Sequence, residues 1–356
     1  MELSSMPKVL EEDFRSVNPQ LLNAVADRTI AISGATGFIG SLLARYLLWA
    51  NDYYGIGVKL VLCSRSPNRL ETTLPGVSRS KNIRFIPADF TRPCEPLEAR
   101  FDFLVHTAAI TQSSLMRQCP ADVLRVGLTG IMWALDSARQ YDARVLNLSS
   151  MEAVGTIAES TVIDEERLGQ IDLGSIRSCY PESKRVGELA CLCWSSQYGI
   201  DALTARLAQT FGAGVNPNDG RVFMQFARSS IYNQPIVLHT DGMGEGNYVY
   251  SSDALAAILT LLAKGKAGET YNVANEACHT TIRDMAEMVA SRFGGVNCKV
   301  VFDIRNPNQT GYAAPTHMIL SSAKLQSLGW KPEIGLEVAY QRLIRWLQEY
   351  ASLDTE

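Results

Sequence analysis

The stretch that decides the fold is SGATGFIG at residues 33–40, which places three glycines at the spacing G-x-x-G-x-x-G. It follows a compact apolar run, Thr29–Ser33, and precedes a run with helical spacing, Phe38–Trp49. Such glycines permit a tight turn, let the backbone approach a pyrophosphate and let the helix pack closely on the strand. The helix N-terminus adds unpaired N–H groups that attract an anion. The stretch therefore predicts a turn that binds the diphosphate of a dinucleotide. Its candidate contacts are Gly34, Thr36, Gly37, Phe38, Ile39 and Gly40.

Short apolar runs alternate with segments of helical length on the C-terminal side of this turn. The predicted strands are Thr29–Ser33, Lys59–Cys63, Ile83–Pro87, Phe101–His106, Arg144–Leu148 and Ala202–Leu207. Continuous apolar strands separated by helices are typical of a parallel sheet that is covered on both faces. The pattern predicts an α/β fold with a doubly wound parallel Rossmann sheet.

The character of the sequence changes near residue 213. A loop with Asn, Pro, Asp and Gly at 216–220 is followed by short mixed segments and a helical tail at Leu336–Tyr350. We expect a smaller C-terminal substrate-binding lobe in this half of the chain. The expected domains are an N-terminal extension at 1–28, a Rossmann domain at 29–212 and a mainly substrate-binding lobe at 213–356, with 247–275 returning to the Rossmann domain.

The composition argues against several classes of function. The 356 residues carry a net charge of −4, whereas a nucleic-acid-binding surface needs clustered excess Lys and Arg. The longest apolar run, Ala254–Ala263, is too short to span a bilayer, and residues 1–28 have no apolar core of a signal peptide. None of the eight cysteines forms a C-x-x-C pair, and no histidine has zinc-ligand spacing. We expect a cytoplasmic protein with reduced thiols and no bound metal. We also expect it to bind neither nucleic acid nor membrane.

The end of the second predicted strand indicates which nicotinamide cofactor is bound. Folds that prefer NAD usually place Asp or Glu there to hold the ribose hydroxyls. This chain has Ser64 and Arg65 instead, which favours the 2′-phosphate of NADP, unless Arg65 is only a solvated loop residue. Asp89, after the third strand, is placed to meet the adenine edge or, alternatively, to cap a turn.

Tyr180 and Lys184 form a Y-x-x-x-K motif on a predicted helix that runs to about Tyr198. Positions i and i+4 share a helix face. A lysine there can lower the pKa of the tyrosine from about 10 towards neutrality, which makes the phenol a usable acid or base. Ser150 follows the fifth strand, where side chains face the ligand crevice. We therefore predict that Ser150, Tyr180 and Lys184 act together.

In order and spacing, these motifs resemble those of the extended short-chain dehydrogenases/reductases, over about residues 28–350. The residues that carry the resemblance are Gly34, Gly37, Gly40, Asp89, His106, Thr107, Ala108, Ala109, Ser150, Tyr180 and Lys184. The resemblance implies a Rossmann domain with a lobe that binds a nucleotide-sugar. It implies Tyr180 as the base, Lys184 on the nicotinamide ribose and Ser150 on the substrate hydroxyl. It also implies cofactor contacts at Asp89, Phe90, Thr107, Ala108 and Ala109, with His106 packed beneath the cofactor.

Within that family, Ser150-Met151-Glu152 resembles the motif of the sugar-nucleotide dehydratases and decarboxylases. The segments RSCY at 177–180 and NDGRV at 218–222 look most like those of UDP-glucuronate decarboxylases. The resemblance implies transient oxidation at C4 of the sugar, with Glu152 moving a proton beside C5; the alternative is a structural Glu152 that bonds the following loop. It implies substrate contacts at Gln209 and Arg221. Arg206 is either a further anion contact or structural.

Three positions depart from that family's pattern. Met151 stands where the dehydratases carry an acidic Asp, so expulsion of water lacks its proton donor. No arginine stands at Thr316 or His317, where the decarboxylases hold the C5 carboxylate. The arginine that usually contacts the diphosphate near Gly246 is also absent. What remains, hydride transfer at a sugar carbon beside a base, fits an epimerase or a non-standard dehydratase better than a decarboxylase.

Two other functions remain open from the sequence. One is an NADPH-dependent reductase of keto-sugars or other carbonyls, which Arg65 favours slightly. The other is a non-catalytic sensor that binds NAD(P). Whatever the function, the resemblance implies a homodimer whose interface is built from two helices of each subunit. Its candidate apolar anchors, which are alternatively intrachain core, are Trp133, Leu135, Leu189, Leu192 and Trp194.

Overall fold

The computed structural model describes residues 6–77, 80–157, 161–305 and 317–353. In this part of the chain the strands are β1 (Thr29–Ser33), β2 (Lys59–Ser64), β3 (Ile83–Pro87), β4 (Phe103–His106), β5 (Arg144–Ser150), β6 (Thr161–Ile163), β7 (Ala202–Leu207), β8 (Gln209–Phe211), β9 (Ile236–Leu238), β10 (Glu245–Tyr250), β11 (Thr270–Val273), β12 (Asn275–Thr281), β13 (Val300–Phe302) and β14 (Met318–Leu320).

The helices in the same ranges are α1 (Lys8–Ser16), α2 (Phe38–Tyr54), α3 (Pro67–Thr73), α4 (Ser113–Gln118), α5 (Pro120–Arg139), α6 (Cys179–Tyr198), α7 (Val222–Ile231), α8 (Ser251–Lys264), α9 (Ile282–Phe293), α10 (Ala323–Gln326) and α11 (Leu336–Leu353). Two short 3₁₀ turns, Met151–Val154 and Ile176–Ser178, connect β5 to the segment that enters α6. No helix in the described ranges is long and apolar enough to cross a membrane.

Seven strands form one sheet in the order β11-β7-β5-β4-β1-β2-β3. All neighbouring pairs are parallel, which confirms the predicted doubly wound Rossmann fold. The six predicted strands are present, and their ends differ from the prediction by at most about two residues. The edge strand β11 was not predicted, because its four residues, TYNV, form no distinct apolar run. The strand order reverses between β1 and β4, and this is where open α/β sheets bind their ligands.

The C-terminal half of the chain builds smaller sheets beside the carboxyl end of the large one. β10 lies between β8, to which it is parallel, and β12, to which it is antiparallel. Two parallel pairs, β13 with β9 and β14 with β6, add to this lobe. Because β8 follows β7 after one residue, the lobe starts directly at the ligand edge of the large sheet.

The N-terminal helix α1 is fastened to the C-terminal helix α11 by a buried charge network. The carboxylate of Asp13 accepts a hydrogen bond of 2.6 Å from the Tyr250 hydroxyl and pairs with Arg342 at 2.5 Å. Burial raises the pKa of Asp13 to about 6, although both partners oppose that shift. Nearer the surface, Arg345 of α11 pairs with Glu12. The network joins the two ends of the described chain behind the lobe.

Candidate active site

The glycine-rich turn between β1 and α2 leaves no room for side chains at two of its glycines. Gly34 has φ +68°, and a Cβ there would lie 2.8 Å from the backbone of Ala108. A Cβ at Gly40 would lie 2.5 Å from the Gly34 carbonyl oxygen. Gly37, which caps α2, is exposed, and a Cβ there would meet only that same oxygen, at 3.2 Å. The turn is therefore compact underneath and open above, as backbone contact with a diphosphate requires.

The loop after β4 lies against this turn. The Thr107 hydroxyl donates hydrogen bonds to the carbonyl oxygens of Ser33 (2.6 Å) and Gly34 (3.3 Å). The predicted cofactor contacts around it are half-buried, namely Gly34, Thr36, Phe38, Ile39, Thr107, Ala108 and Ala109. The structure thus brings these side chains and backbone groups together at the switch point of the sheet.

His106 is buried directly beneath the turn and is not placed for proton transfer. Its Nδ1 lies 2.8 Å from the Ser33 hydroxyl, and its ring packs against Phe90. Burial lowers the pKa of His106 to about 3, so the imidazole is neutral at physiological pH. This agrees with a packing role.

The residues predicted to select the cofactor lie at the carboxyl ends of β2 and β3. Ser64 is buried and donates to the Ser66 carbonyl oxygen at 3.2 Å, whereas Arg65 is exposed. Asp89 accepts hydrogen bonds from the Thr91 backbone N–H (3.1 Å) and hydroxyl (2.8 Å). The hydroxyl bond is the main reason why the pKa of Asp89 is lowered. Asp89 therefore caps a turn, which was the alternative reading of its position.

Ser150, Tyr180 and Lys184 lie together at the carboxyl end of β5. Tyr180 is buried, and Ser150 acts on its phenol in the direction that lowers the pKa. Lys184 donates to the Leu148 carbonyl oxygen at 2.7 Å, and its nitrogen lies 5.9 Å from the centre of the Tyr180 ring. One expectation differs from the structure. Burial raises the pKa of Tyr180 to about 12 rather than lowering it, and burial lowers the pKa of Lys184 to about 8.

Glu152 stands beside this set on the turn Met151–Val154, whose N-cap is Ser150. Its carboxylate pairs with Arg177, whose Nη2 lies 3.0 Å from Oε1 and 2.8 Å from Oε2. Burial raises the pKa of Glu152, and Arg177 opposes the shift. The Glu152 carboxylate is thus bonded to Arg177 and not to the backbone of the following loop in the described ranges. That loop is held by Arg185, which donates to the carbonyl oxygens of Ala153 and Val154.

Arg177 is the functional residue that the sequence reasoning missed. It was noted only as part of a motif, without a partner or a role. The one available signal is its position three residues before Tyr180, because a side chain there reaches the face on which the tyrosine lies. Pairing with Glu152 across 25 positions could not be read from spacing alone.

The predicted substrate contacts lie on the lobe side of the crevice. Gln209 is half-buried at the start of β8. Arg221 pairs with Asp219 at 2.8 Å, and its guanidinium lies 4.7 Å from the centre of the Phe223 ring. Arg206 is buried inside β7 and pairs with Glu188 at 2.7 Å, which makes it structural rather than an anion contact.

A model of the NAD dependent epimerase/dehydratase family matches residues 30–274, more than half of the chain. The chain belongs to this family. It is therefore an enzyme of the predicted epimerase/dehydratase type, and the glycine turn, with no room for a Cβ at Gly34 or Gly40, fits the family's dinucleotide.

Curated relatives of this family member include UDP-glucuronic acid decarboxylase 3 of Arabidopsis thaliana, which is 28% identical over 86% of this chain and 85% of its own length. UDP-glucuronic acid decarboxylase 1 of Danio rerio is 25% identical over 95% of this chain and 77% of its own length. Among solved structures, an epimerase of Methanothermobacter thermautotrophicus has a TM-score of 0.76 at 21% identity and 98% coverage of both chains.

A second solved structure is the UDP-glucuronic acid 4-epimerase of Bacillus cereus in complex with UDP-glucuronic acid and NAD. It has a TM-score of 0.73 at 18% identity and covers 90% of this chain and 99% of that chain. At these identities the two structures show a shared fold. They confirm the predicted Rossmann architecture over nearly the whole chain.

The three departures from the family's motifs have physical counterparts in this epimerase/dehydratase chain. Met151 is buried and carries no proton to donate. At Gly246 a Cβ would lie 2.6 Å from the ring of Tyr248, so that ring occupies the space of a side chain there. His317 lies 3.5 Å from Glu245, which also bonds His279 at 3.0 Å. Thr316 lies outside the described residues.

The helices expected to form a dimer interface, α5 and α6, pack closely against each other. Trp133 and Leu135 are buried in the intrachain core, so they are not available as interface anchors. Trp194 is half-buried and donates to Asp136 at 3.0 Å. Leu189 and Leu192 are 58% and 51% exposed and remain candidates. Within the described ranges no group of His, Cys, Asp and Glu could hold a metal ion.

Proposed function

We propose that this enzyme modifies a nucleotide-sugar by transient oxidation at C4 and proton transfer at C5. The observation that carries the proposal is the position of Glu152, paired with Arg177, beside the Ser150, Tyr180 and Lys184 set. The names of the relatives support a sugar nucleotide, and among them a UDP-uronate, as substrate.

The cofactor site is the glycine turn together with the loop after β4 and Lys184. NAD(P) bound there would supply the acceptor for a hydride from C4 of the sugar and, later, its donor. Tyr180 takes the proton of the C4 hydroxyl, and Ser150, which acts on the same phenol, holds that hydroxyl in place. The ammonium of Lys184, 5.9 Å from the ring centre, stabilises the phenolate that such a transfer requires.

Glu152 performs the second proton transfer. A ketone at C4 makes the C5 proton acidic, and an ionised carboxylate beside C5 can remove and return it. Expulsion of the C6 hydroxyl as water needs a proton donor, and Met151 supplies none. Reversible proton exchange at C5 is therefore favoured over dehydration. It inverts C5, as an epimerase does, when the proton is returned to the face opposite Glu152. On this account Gln209 and Arg221 contact the substrate from the lobe.

For the cofactor we infer NADP in preference to NAD. β2 ends without an acidic residue, and Arg65 is exposed where a 2′-phosphate would arrive. The same observation favours a second candidate function, a reductase of keto-sugars that consumes NADPH. The two functions differ in stoichiometry, because an epimerase regenerates its cofactor in every cycle whereas a reductase consumes one NADPH for each product.

We further propose a homodimer that uses the exposed Leu189 and Leu192 of α6, and a reducing compartment such as the cytoplasm. All eight cysteines lie in the described ranges, and each is free. Our proposed domains remain the N-terminal extension at 1–28, the Rossmann domain at 29–212 and a mainly substrate-binding lobe at 213–356, with 247–275 returning to the Rossmann domain. Analytical ultracentrifugation of wild type and a Leu189→Glu variant tests the dimer, which we expect the variant to dissociate.

The function is tested by incubating the purified enzyme with a panel of nucleotide-sugars in heavy water, without added cofactor. The panel includes UDP-glucuronate and UDP-, CDP-, dTDP- and GDP-hexoses. Gain of deuterium without another change in mass supports the proposal. Loss of water or of carbon dioxide contradicts the epimerase outcome. An unchanged panel, followed by NADPH consumption with a keto-sugar, identifies the reductase.

A further inference from the structure

Arg177 has an unusual set of partners for a largely buried guanidinium. Its side chain is only 17% exposed, and a single nitrogen, Nη2, reaches both oxygens of Glu152. Within the described ranges Nε and Nη1 are buried and have no hydrogen-bond partner. Glu152 is thus the carboxylate that balances the charge of Arg177 in this part of the structure.

This pairing makes each ionisation depend on the other. Burial alone favours the protonated form of a carboxyl group. Protonation of Glu152 would, however, leave the buried guanidinium without its counter-ion, which is strongly unfavourable. Arg177 therefore keeps Glu152 ionised in a site that would otherwise neutralise it. The contact of Nη2 with both carboxylate oxygens also fixes the direction of the carboxylate.

The pair of Arg177 and Glu152 lies beside Tyr180. The Arg177 guanidinium carbon is 5.9 Å from the centre of the Tyr180 ring, and the charges of Glu152 and Arg177 shift the pKa of Tyr180 in opposite directions. Glu152 interacts electrostatically with Arg177, Cys179 and Tyr180. Its turn also packs against α6, β5 and β7, whose charged residues are Glu182, Lys184, Arg185, Glu188, Arg144 and Arg206.

Among these groups Arg177 is the one bonded to the Glu152 carboxylate. Lys184 donates to the Leu148 carbonyl oxygen, Arg206 pairs with Glu188, and Arg185 donates to backbone carbonyls. Each of the other cations thus has its own acceptors. Among the cations considered, Arg177 is therefore the one whose charge directly favours the ionised form of Glu152.

We propose that Arg177 is the positioning residue of this enzyme, which holds Glu152 ionised and aligned for proton removal at C5. The inference rests on the proposed function for its purpose, but the coupling of the two side chains can be measured without any substrate.

The test is an infrared titration of the full-length enzyme, with the Glu152 carboxyl band assigned by its loss in Glu152→Gln. We expect Arg177→Met to raise the pKa of Glu152 by about one unit or more, since a buried counter-charge commonly shifts a carboxyl pKa by 1–3 units. Arg177→Lys, which keeps the positive charge but not the guanidinium, should give a smaller rise. It also keeps the test decisive if Arg177→Met does not fold.

Arg185→Met is the matched control. Arg185 is buried to a similar degree and holds the backbone of the same turn, but it does not bond the carboxylate. It should lower the melting temperature and leave the pKa of Glu152 in place. An unchanged pKa in Arg177→Met, or an equal shift in Arg185→Met, would overturn the inference.

A second measurement separates this inference from the proposed function. The rate of C5 deuterium exchange is followed against pH, and its acidic limb should move upwards in Arg177→Met by the same amount as the pKa of Glu152. If the wild type exchanges no C5 proton, the proposed function is wrong and the infrared titration alone decides the coupling. If exchange occurs but its acidic limb ignores Arg177, the positioning role is overturned and the function stands.

Discussion

The cofactor side and the substrate side of this site are built by different means. On the cofactor side the backbone sets the shape of the site. Gly34 and Gly40 leave no room for a Cβ, and the Thr107 hydroxyl, just after β4, donates to the carbonyl oxygen at the end of β1. On the substrate side the proposed chemistry depends on a few side chains, chiefly Glu152 and Arg177. Backbone geometry admits one residue type at a position, whereas an ion pair can be rebuilt from other places in the sequence.

This difference explains why the chain keeps the family's turn but departs from its substrate motifs. The Tyr248 ring fills the space beside Gly246, and Met151 removes a proton donor without disturbing β5. Neither change strains the fold. The substrate side can therefore alter its chemistry while the cofactor side stays constant.

Tyr180→Phe should slow C4 oxidation by about 10²–10⁴-fold, the usual contribution of a positioned acid or base. The turn and its contacts are untouched, so cofactor affinity should change little. Stopped-flow absorbance of the reduced cofactor measures the rate of C4 oxidation, and calorimetric titration measures the cofactor affinity. Tyr198→Phe, on the exposed end of the same helix, is the control. A variant that oxidises C4 at the wild-type rate would remove Tyr180 from the mechanism.

Gly34→Ala should destabilise the fold and abolish cofactor binding. It combines the strain of a non-glycine residue at φ +68° with a clash against Ala108. Strain of this kind costs about 1–3 kcal/mol. Gly55→Ala is a matched control, since Gly55 has φ +66° and nothing within 4 Å of its Cβ position. The two variants are compared by their free energies of unfolding in urea. The difference measures the cost of the clash between the new Cβ at position 34 and the Ala108 backbone. Equal losses would show that the turn is not closely packed on the loop after β4.

Lys184 should make the cofactor-free protein more stable as the pH rises. Its pKa is lowered to about 8 in the folded state, so the unfolded chain binds more protons between that pH and the ordinary lysine pKa of 10.5. Stability therefore increases across that window, by at most about 3 kcal/mol at 1.36 kcal/mol per unit. Urea denaturation at several pH values should show the rise in wild type relative to Lys184→Met. Lys59→Met, which removes an exposed lysine, should behave as wild type.

Arg65→Ala should weaken NADP binding by up to about fivefold and leave NAD binding unchanged, because one exposed ion pair contributes up to about 1 kcal/mol. Fluorescence titration with both dinucleotides measures the ratio. Arg69→Ala, on the exposed side of α3, controls for the general loss of positive charge. An equal loss for both cofactors would contradict a role for Arg65 in selecting the 2′-phosphate.

The sequence predicted the parallel strands and the glycine turn correctly because their signals are local. The glycine spacing, the apolar strands and the Y-x-x-x-K motif each lie within a few residues, so their structures follow from neighbours in the chain. The pairing of Glu152 with Arg177 joins two separate turns, and the burial that raises the pKa of Tyr180 comes from the whole crevice. The dimer anchors failed for Trp133 and Leu135 because helical spacing alone does not say which apolar face meets the sheet.

In the proposed reaction Glu152 moves the C5 proton of a nucleotide-sugar after oxidation at C4. The most direct test is proton NMR of UDP-glucuronate and UDP-hexoses after incubation in heavy water with wild type and with Glu152→Gln. We predict deuterium at C5 alone with the wild type and none with Glu152→Gln, while both proteins still oxidise C4. Deuterium at C5 with Glu152→Gln, or C4 oxidation by the wild type without any exchange at C5, would contradict the account.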